Sequence, residues 1–291
     1  MILQEFLTGG RVDAAVFALR PDYRAMLLAA DGIVPGPSDQ ASDALLQSAE
    51  AAASEALGDR SAEELPNVAA WREAYRAFGA KPQRTRNSLE ALLRRAASGL
   101  PRVNRLTDLY NAVSVLHQIP LGGEDLTRYA GSPRLLRATG EEPFDTMADG
   151  SELTEHPDPG EVVWCDDAGV TCRRWNWRQA RRTQLREDTT AALFILDALD
   201  PVTDKELDAA ADDLAAHLDR LGPDVRTARR LIAADPTPLC VESALRPRRV
   251  RSAGGGAGPG SAGLGVGRPG RGCRCRSRAG RSRRCGRVCR R

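Results

Sequence analysis

Two tryptophans and five arginines crowd one short stretch of the chain: Arg173, Arg174, Trp175, Trp177, Arg178, Arg181 and Arg182. Flat indole faces stack on nucleobases, and guanidinium groups bind phosphate or stack in turn. The same residues also make an ordinary hairpin, with Trp in a core and Arg in water. Composition leaves both readings open. The stretch follows two predicted strands, Glu161–Cys165 and Val170–Arg174, joined at Asp166–Gly169. Asp-Ala-Gly supplies the turn chemistry there, and Val, Trp, Cys and Thr suit a pleated surface.

A second group able to do chemistry lies upstream. Asn104, Asp108 and Asn111 are spaced i, i+4 and i+7 on a helix predicted over Asn104–Gln118. They share one face, away from the apolar stripe of Leu106, Leu109, Tyr110, Val113 and Leu116. A carboxylate flanked by two amides can hold a ribose or an amino-acid head group. It can equally be a solvated face. Pro120 stops the helix, and Gly122-Gly123 predicts an open turn where a backbone can approach a ligand closely.

The net charge of +3 over 291 residues hides two opposite parts. Of 42 Lys and Arg, 15 lie in residues 246–291, leaving 27 against all 39 Asp and Glu in residues 1–245. The body is thus at −12 and the tail at +15. An acidic body is no general polyanion binder, so any nucleic-acid contact on it must be local. The tail, rich in Arg, Gly, Ala, Ser, Pro and Cys, lacks apolar periodicity and reads as disordered. Three origins fit it: a basic RNA-binding arm, a zinc site from Cys273, Cys275, Cys285 and Cys289, or GC-rich DNA translated in a shifted frame. The tight Cys273-x-Cys275 spacing and lack of nearby His weigh against zinc. The composition favours the shifted frame.

The remaining elements position these groups. A buried strand is predicted at Arg24–Ala30. An Ala-rich helix follows, capped by Ser38 and reaching Leu57. Helical spacing recurs at Trp71, Ala74, Tyr75 and Phe78, ending at Gly79, and again over Ser88–Ala97. Lys81–Arg86 reads as a basic loop. Strands are predicted at Arg134–Ala138 and Ala191–Ala198, then a helix over Thr203–Leu221. Helices first and strands later predict an α+β fold, with N-terminal helices packed on a mostly antiparallel sheet. The domain spans residues 1–235.

Several classes find no support in the residues. The N-terminus lacks the pattern of a signal peptide, and no apolar run is long enough to span a bilayer. Cys165, Cys172 and Cys240 form no disulfide framework, which suits a reducing cytoplasm. His117, His156 and His217 are scattered, so no metal site is predicted. No Gly-x-Gly-x-x-Gly, Walker loop or Gly-x-Ser-x-Gly is present, and no cofactor is expected.

Several motifs together resemble one family. They are Ala70-Trp-Arg-Glu-Ala-Tyr-Arg-Ala-Phe-Gly79, Lys81-Pro82, Asn87-Ser-Leu-Glu-Ala-Leu92, Leu100-Pro-Arg-Val-Asn104, Asp108-Leu-Tyr-Asn111 and Cys172-Arg-Arg-Trp-Asn-Trp-Arg-Gln179. In combination they look like a freestanding B3/B4-type domain, related to the B3/B4 editing domain of the phenylalanyl-tRNA synthetase beta subunit. In the synthetase an Asn-Pro-x-x-Asp-x-x-Asn helix precedes a Pro-x-His-x-x-Asp turn. Here Arg105 stands in place of the Pro and Gly122 in place of the His, while Pro120 and Asp125 match. The resemblance implies binding of aminoacyl-tRNA at its acceptor end. It further implies hydrolysis of mischarged ester in trans, or else a noncatalytic tRNA-binding module. It gives Asn111, Gly122 and Gly123 to catalysis. Asn104, Asp108, Arg173, Arg174, Trp175, Trp177 and Arg178 go to RNA binding.

Deleting residues 246–291 is expected to leave the melting temperature nearly unchanged, because that segment has no apolar face to dock. A fall of many degrees in thermal unfolding of the truncated chain overturns this.

Overall fold

A computed structural model describes residues 2–148 and 150–234. The predicted disordered tail lies outside the described residues. The described chain runs α1 Leu3–Thr8, β1 Arg11–Val12, α2 Ala14–Leu19, β2 Arg24–Asp31, α3 Gln40–Leu57, α4 Pro66–Ala77, α5 Ser88–Ala96 and α6 Arg105–His117. It continues with β3 Leu121–Asp125, β4 Arg134–Arg137, β5 Phe144–Ala148, β6 Ser151–Glu155, β7 Val162–Asp166 and β8 Gly169–Arg173. The last elements are β9 Arg178–Gln179, β10 Ala192–Ala198, α7 Asp204–Leu218 and β11 Arg226–Ala233. The fold is α+β, and among the described residues no helix is long and apolar enough to cross a membrane.

The predicted single sheet is two. One has strand order β1-β4-β7-β8-β5-β6, with β9 on β8; the other is antiparallel, ordered β11-β2-β10-β3. The second sheet is buried on both faces at its centre. Ala25, Leu27, Ala29, Leu193 and Ile195 pack with Trp71, Trp164 and Trp175 on one side. Met26, Leu28, Ala30, Phe194 and Leu196 pack with α6 and α7 residues such as Val113 and Leu214 on the other. This explains why β10 reads as a continuous apolar run rather than an alternating one. Asp197 is the exception in that run, and it is 3 % exposed.

Local signals explain the helices. Asp39, not Ser38, caps α3, in a reciprocal capping box with Ser42. Asn87 caps α5 and Asn104 caps α6, each accepting an orphan backbone N–H, from Glu90 and Thr107 respectively. The polar face predicted for α6 does not exist as a solvated face. Asp108 is buried, accepting from Val103 N at 2.8 Å and Ser42 Oγ at 3.1 Å. The helix is wedged between α3, α5 and the second sheet, so nearly all its sides need partners.

The open turn expected at Gly122-Gly123 is instead the interior of β3, paired with Ile195 and Phe194 of β10. The two glycines have different reasons to lack a side chain. A Cβ on Gly123 meets Leu185 at 2.8 Å, Tyr110 at 2.9 Å and Phe194 at 3.0 Å, so the core closes over it. A Cβ on Gly122 meets only the Gln179 side-chain amide, at 3.2 Å. Gly123→Ala is therefore expected to destabilise by roughly 1–3 kcal/mol through overpacking, while Gly122→Ala stays close to wild type. Chemical denaturation of both variants checks this, and equal stabilities contradict the packing argument.

Candidate functional site

The chain after β8 turns on two consecutive residues in the left-handed region, Arg174 at φ +48° and Trp175 at φ +69°. Bulky residues adopt such angles only where their surroundings hold them. Here Trp175 N donates to Val162 O at 2.6 Å and Trp177 N to Arg173 O at 3.1 Å. The turn drives Trp175 into the core and leaves Trp177 half-buried at the surface. Trp175 makes edge contacts with Tyr23 and Trp71, at centroid distances of 4.9 and 5.3 Å. Its ring is fully buried, so it cannot offer a face to a base as expected from the sequence. Trp177 is only half-buried, with the Arg174 and Arg178 guanidinium groups 4.6 and 5.9 Å from its centroid.

The arginines predicted to bind phosphate are largely committed within the protein. Arg173 is 6 % exposed and forms a bidentate pair with Glu161, through Nε at 2.9 Å and Nη2 at 2.8 Å. Its Nη1 binds Glu155 at 2.9 Å. A buried guanidinium needs such partners, so its role is in the fold. Arg174 donates through its backbone N and Nε to Glu161 and through Nη1 to Thr85. Arg178 bonds Thr146 and lies 3.5 Å from Glu155. Asn104 and Asp108, also expected to touch RNA, are the cap and the buried acceptor described above.

A cavity of about 240 Å³ opens where the two sheets and helices α5 and α6 meet. Asn111, Gly122, Trp175 and Trp177 line it, so four of the sequence-selected residues do come together. Gly123 does not line it. Its Cβ side faces Leu185, Tyr110 and Phe194 instead. The ladder ends fix the backbone directions: Asp197 N donates to Pro120 O, and Leu126 N donates to Ala191 O. Alternation then turns the Gly122 backbone toward β10 and the Gly123 backbone to the outer edge, where Gln179 Nε2 binds Gly123 O at 2.8 Å. A donor role for the Gly122 N–H is thereby excluded, since the ladder uses it. Gly122 contributes space instead.

The cavity holds two carboxyl groups that the sequence reading missed, Glu124 and Asp197. Burial pushes each up to about 7. Asp197 accepts from Tyr23 OH at 2.6 Å and Asn176 Nδ2 at 3.2 Å, and Tyr75 OH binds Asn176 Oδ1 at 2.9 Å. These bonds favour its charged form but do not offset burial. Trp164 Nε1 acts on it in the same direction from outside hydrogen-bonding geometry, and is buried without an acceptor. Glu124 Oε2 accepts from Tyr129 OH. Its Oε1 has no donor at hydrogen-bonding geometry among the described residues. The signal for Asp197 was present in the sequence, as one carboxylate inside an apolar strand. Glu124, two residues past Gly122, shares its side of the sheet.

Other polar groups face the same space. Burial raises the Tyr110 phenol and the Cys172 thiol, so both stay protonated near neutral pH. Cys172 is accordingly no nucleophile there. Ser88 lines the cavity, and its Oγ is buried without a protein partner among the described residues. The arrangement combines aromatic walls, hydroxyl and amide donors, and two carboxyls poised near neutrality. That set suits binding a small cationic group and moving a proton.

Comparison with known proteins places this geometry in a family. No curated protein sequence matches the chain. Among solved structures it is similar to an N-terminal fragment of the phenylalanyl-tRNA synthetase beta-subunit from Pyrococcus horikoshii, at 9 % identity and a TM-score of 0.41. The match covers 75 % of this chain and 49 % of that one, so the chain spans about half the length of its structural relative. The family model described as B3/4 domain matches residues 70–221, a stretch that runs from within α4 through α7 and includes every residue lining the cavity. The chain belongs to the B3/4 domain family.

Proposed function

We propose that the cavity receives the aminoacyl end of a tRNA and that the protein hydrolyses the ester in trans. The observation that carries this reading is a carboxyl at about 7, Glu124, in one cavity with Asn111. An aminoacyl ester is already activated, so its hydrolysis needs only a positioned water, a base and polarisation of the carbonyl. Glu124 is the base in this scheme. It takes a proton from water as the oxygen attacks the carbonyl and returns it to the ribose oxygen as the ester C–O bond breaks, and its proton affinity suits work near neutral pH. Asn111, whose amide has no protein partner at hydrogen-bonding geometry among the described residues, orients the ribose or the water. Ser88 Oγ and Tyr110 OH are donors available to the developing oxyanion.

The carboxyls also suit the other end of the substrate. The α-ammonium of an aminoacyl ester is a small cation, and charged Glu124 and Asp197 attract it into an otherwise apolar cleft. Trp177 stacks the terminal base at the mouth. Such a partner also implies a cytoplasmic protein. The other reading is a noncatalytic tRNA-binding module, favoured by the hydrogen bonds that hold both Asp197 oxygens in the fold.

Turnover separates the two. Purified protein incubated with a panel of mischarged tRNAs is expected to release free amino acid from at least one. Tight binding with no release from any of them leaves the binding module. Asn111→Ala is expected to cut the deacylation rate about 10²-fold with little change in tRNA affinity, since a positioning contact acts mainly in the transition state.

The rate should follow the charged form of Glu124. Below about 7 the buried carboxyl is protonated and inactive as a base, so kcat rises about tenfold per pH unit. Above about 7 it levels off. Glu124→Gln should lower the plateau and remove the rise. A pH-independent wild-type rate from pH 5 to 8 rejects Glu124 as the base; those bounds are roughly two units below and one above its midpoint.

A further inference from the structure

A second cavity of about 420 Å³ lies beside the first, bounded by the segment from Phe78 to Thr85 and by Asp158, Glu161 and Arg174. The contact between Trp177 and Arg174 links the two. Trp177 lines the first cavity, and the Arg174 guanidinium that covers it lines the second. A ligand lying across Trp177 therefore reaches both.

The charges around this space are of two kinds, paired and unpaired. Glu161 is buried and neutralised by Arg173 and Arg174. Asp158 is largely in water, 3.9 Å from Arg174. Lys81 and Arg84 are exposed on the rim, and neither meets a carboxylate within 4.0 Å among the described residues. On a body at −12, arginines such as Arg72, Arg94, Arg102 and Arg182 are each paired with an acid. Lys81 and Arg84 are distinguished by place: both converge on one cavity, next to an indole.

The backbone holds them in place. Gly79, at φ +91°, ends α4, and Ala80 N returns to Tyr75 O at 2.9 Å. The Lys81 carbonyl then accepts from both Arg84 N and Thr85 N at 2.9 Å, a tight turn that brings positions 81 and 84 together. Thr85 is pinned by Arg174 Nη1.

We propose that this second cavity binds a phosphodiester of the strand whose terminal nucleoside stacks on Trp177, with Lys81 and Arg84 as the contacts and Arg174 as the link to the first cavity. The proposal rests on the reading of the first cavity as an acceptor-end site. It assigns the tRNA-facing charge to the Lys81–Thr85 turn and away from the Arg173–Arg178 segment. Local cations of this kind anchor a short stretch of backbone without turning an acidic body into a general polyanion binder.

The test compares the full chain with its Lys81→Ala/Arg84→Ala variant. Both side chains are exposed, so thermal unfolding should be unaltered. The probes are a CCA trinucleotide, adenosine and inorganic phosphate, titrated calorimetrically at several salt concentrations. Wild type is expected to bind the trinucleotide about tenfold more tightly than adenosine at low salt, with the advantage shrinking as salt rises. The variant should lose that advantage and keep its adenosine affinity. An unchanged trinucleotide affinity in the variant overturns the proposal. Phosphate binding as tight as the trinucleotide's, and lost in the variant, also overturns it in favour of a free-anion site. Deacylation separates this outcome from the esterase reading. Turnover of aminoacyl-tRNA with equal kcat/KM in both proteins removes the subsite and leaves the esterase. Trinucleotide binding that depends on Lys81 and Arg84 in a protein without turnover keeps the subsite and removes the esterase.

Discussion

Asp197 sits in a strand whose other side chains are apolar and whose two faces are both covered. An isolated carboxyl in such a place is tolerated only with hydrogen bonds. Those bonds come from three directions: Tyr23 just before β2, Asn176 just after β8, and Tyr75 of α4 acting through Asn176. The single buried acid thereby ties together the second sheet, the first sheet and the helical layer. The cavity exists at this junction because polar groups and aromatic rings, rather than interdigitated aliphatics, fill it.

The αL turn at Arg174 and Trp175 is the second consequence of that junction. Asn176 must reach Asp197 from a strand in the other sheet, and the chain can do so only by doubling back at once. The turn is held by the backbone bond from Trp175 to Val162 and by the indole packed against Tyr23 and Trp71. Aromatic burial of this size and edge-to-face contact offset two unfavourable backbone conformations. Trp177 and Arg174 then fall on the outside by default. Thus the one feature that braces the core also sets the contact that links the two cavities.

Charge is managed by pairing. Residues 1–245 carry 27 basic against 39 acidic side chains, yet most arginines in the first sheet are held by specific carboxylates. Arg173 with Glu161, Arg181 with Asp145, and Arg182 with Asp166 brace neighbouring strands. Their net worth for stability is modest, but removal of one partner leaves the other uncompensated where it is buried. The Arg-rich stretch from Arg173 to Arg182 is therefore mainly a set of struts.

The sequence by itself determined the element types that depend on neighbours along the chain. Helices α4, α5 and α6, the hairpin at Asp166–Gly169 and the apolar strand β10 all followed, within a few residues at their ends, from periodicity, caps and turn residues. The motif combination pointed to the B3/4 family, and Asn111 and Trp177, singled out separately, line one cavity. Tertiary structure alone decided what each polar residue does. Spacing put Asp108 and Arg173 beside ligand candidates, but a long-range partner in each case, Ser42 and Glu161, made them structural. Gly122-Gly123 read as a turn because glycine is permissive, whereas strand pairing with β10 and a close approach of Tyr110 and Leu185 govern it. Asp197 stood out as one carboxylate in an apolar strand, but Glu124 looked like an ordinary acid, and the proton affinity of both is set by burial and by donors from distant segments. No local pattern encodes that environment.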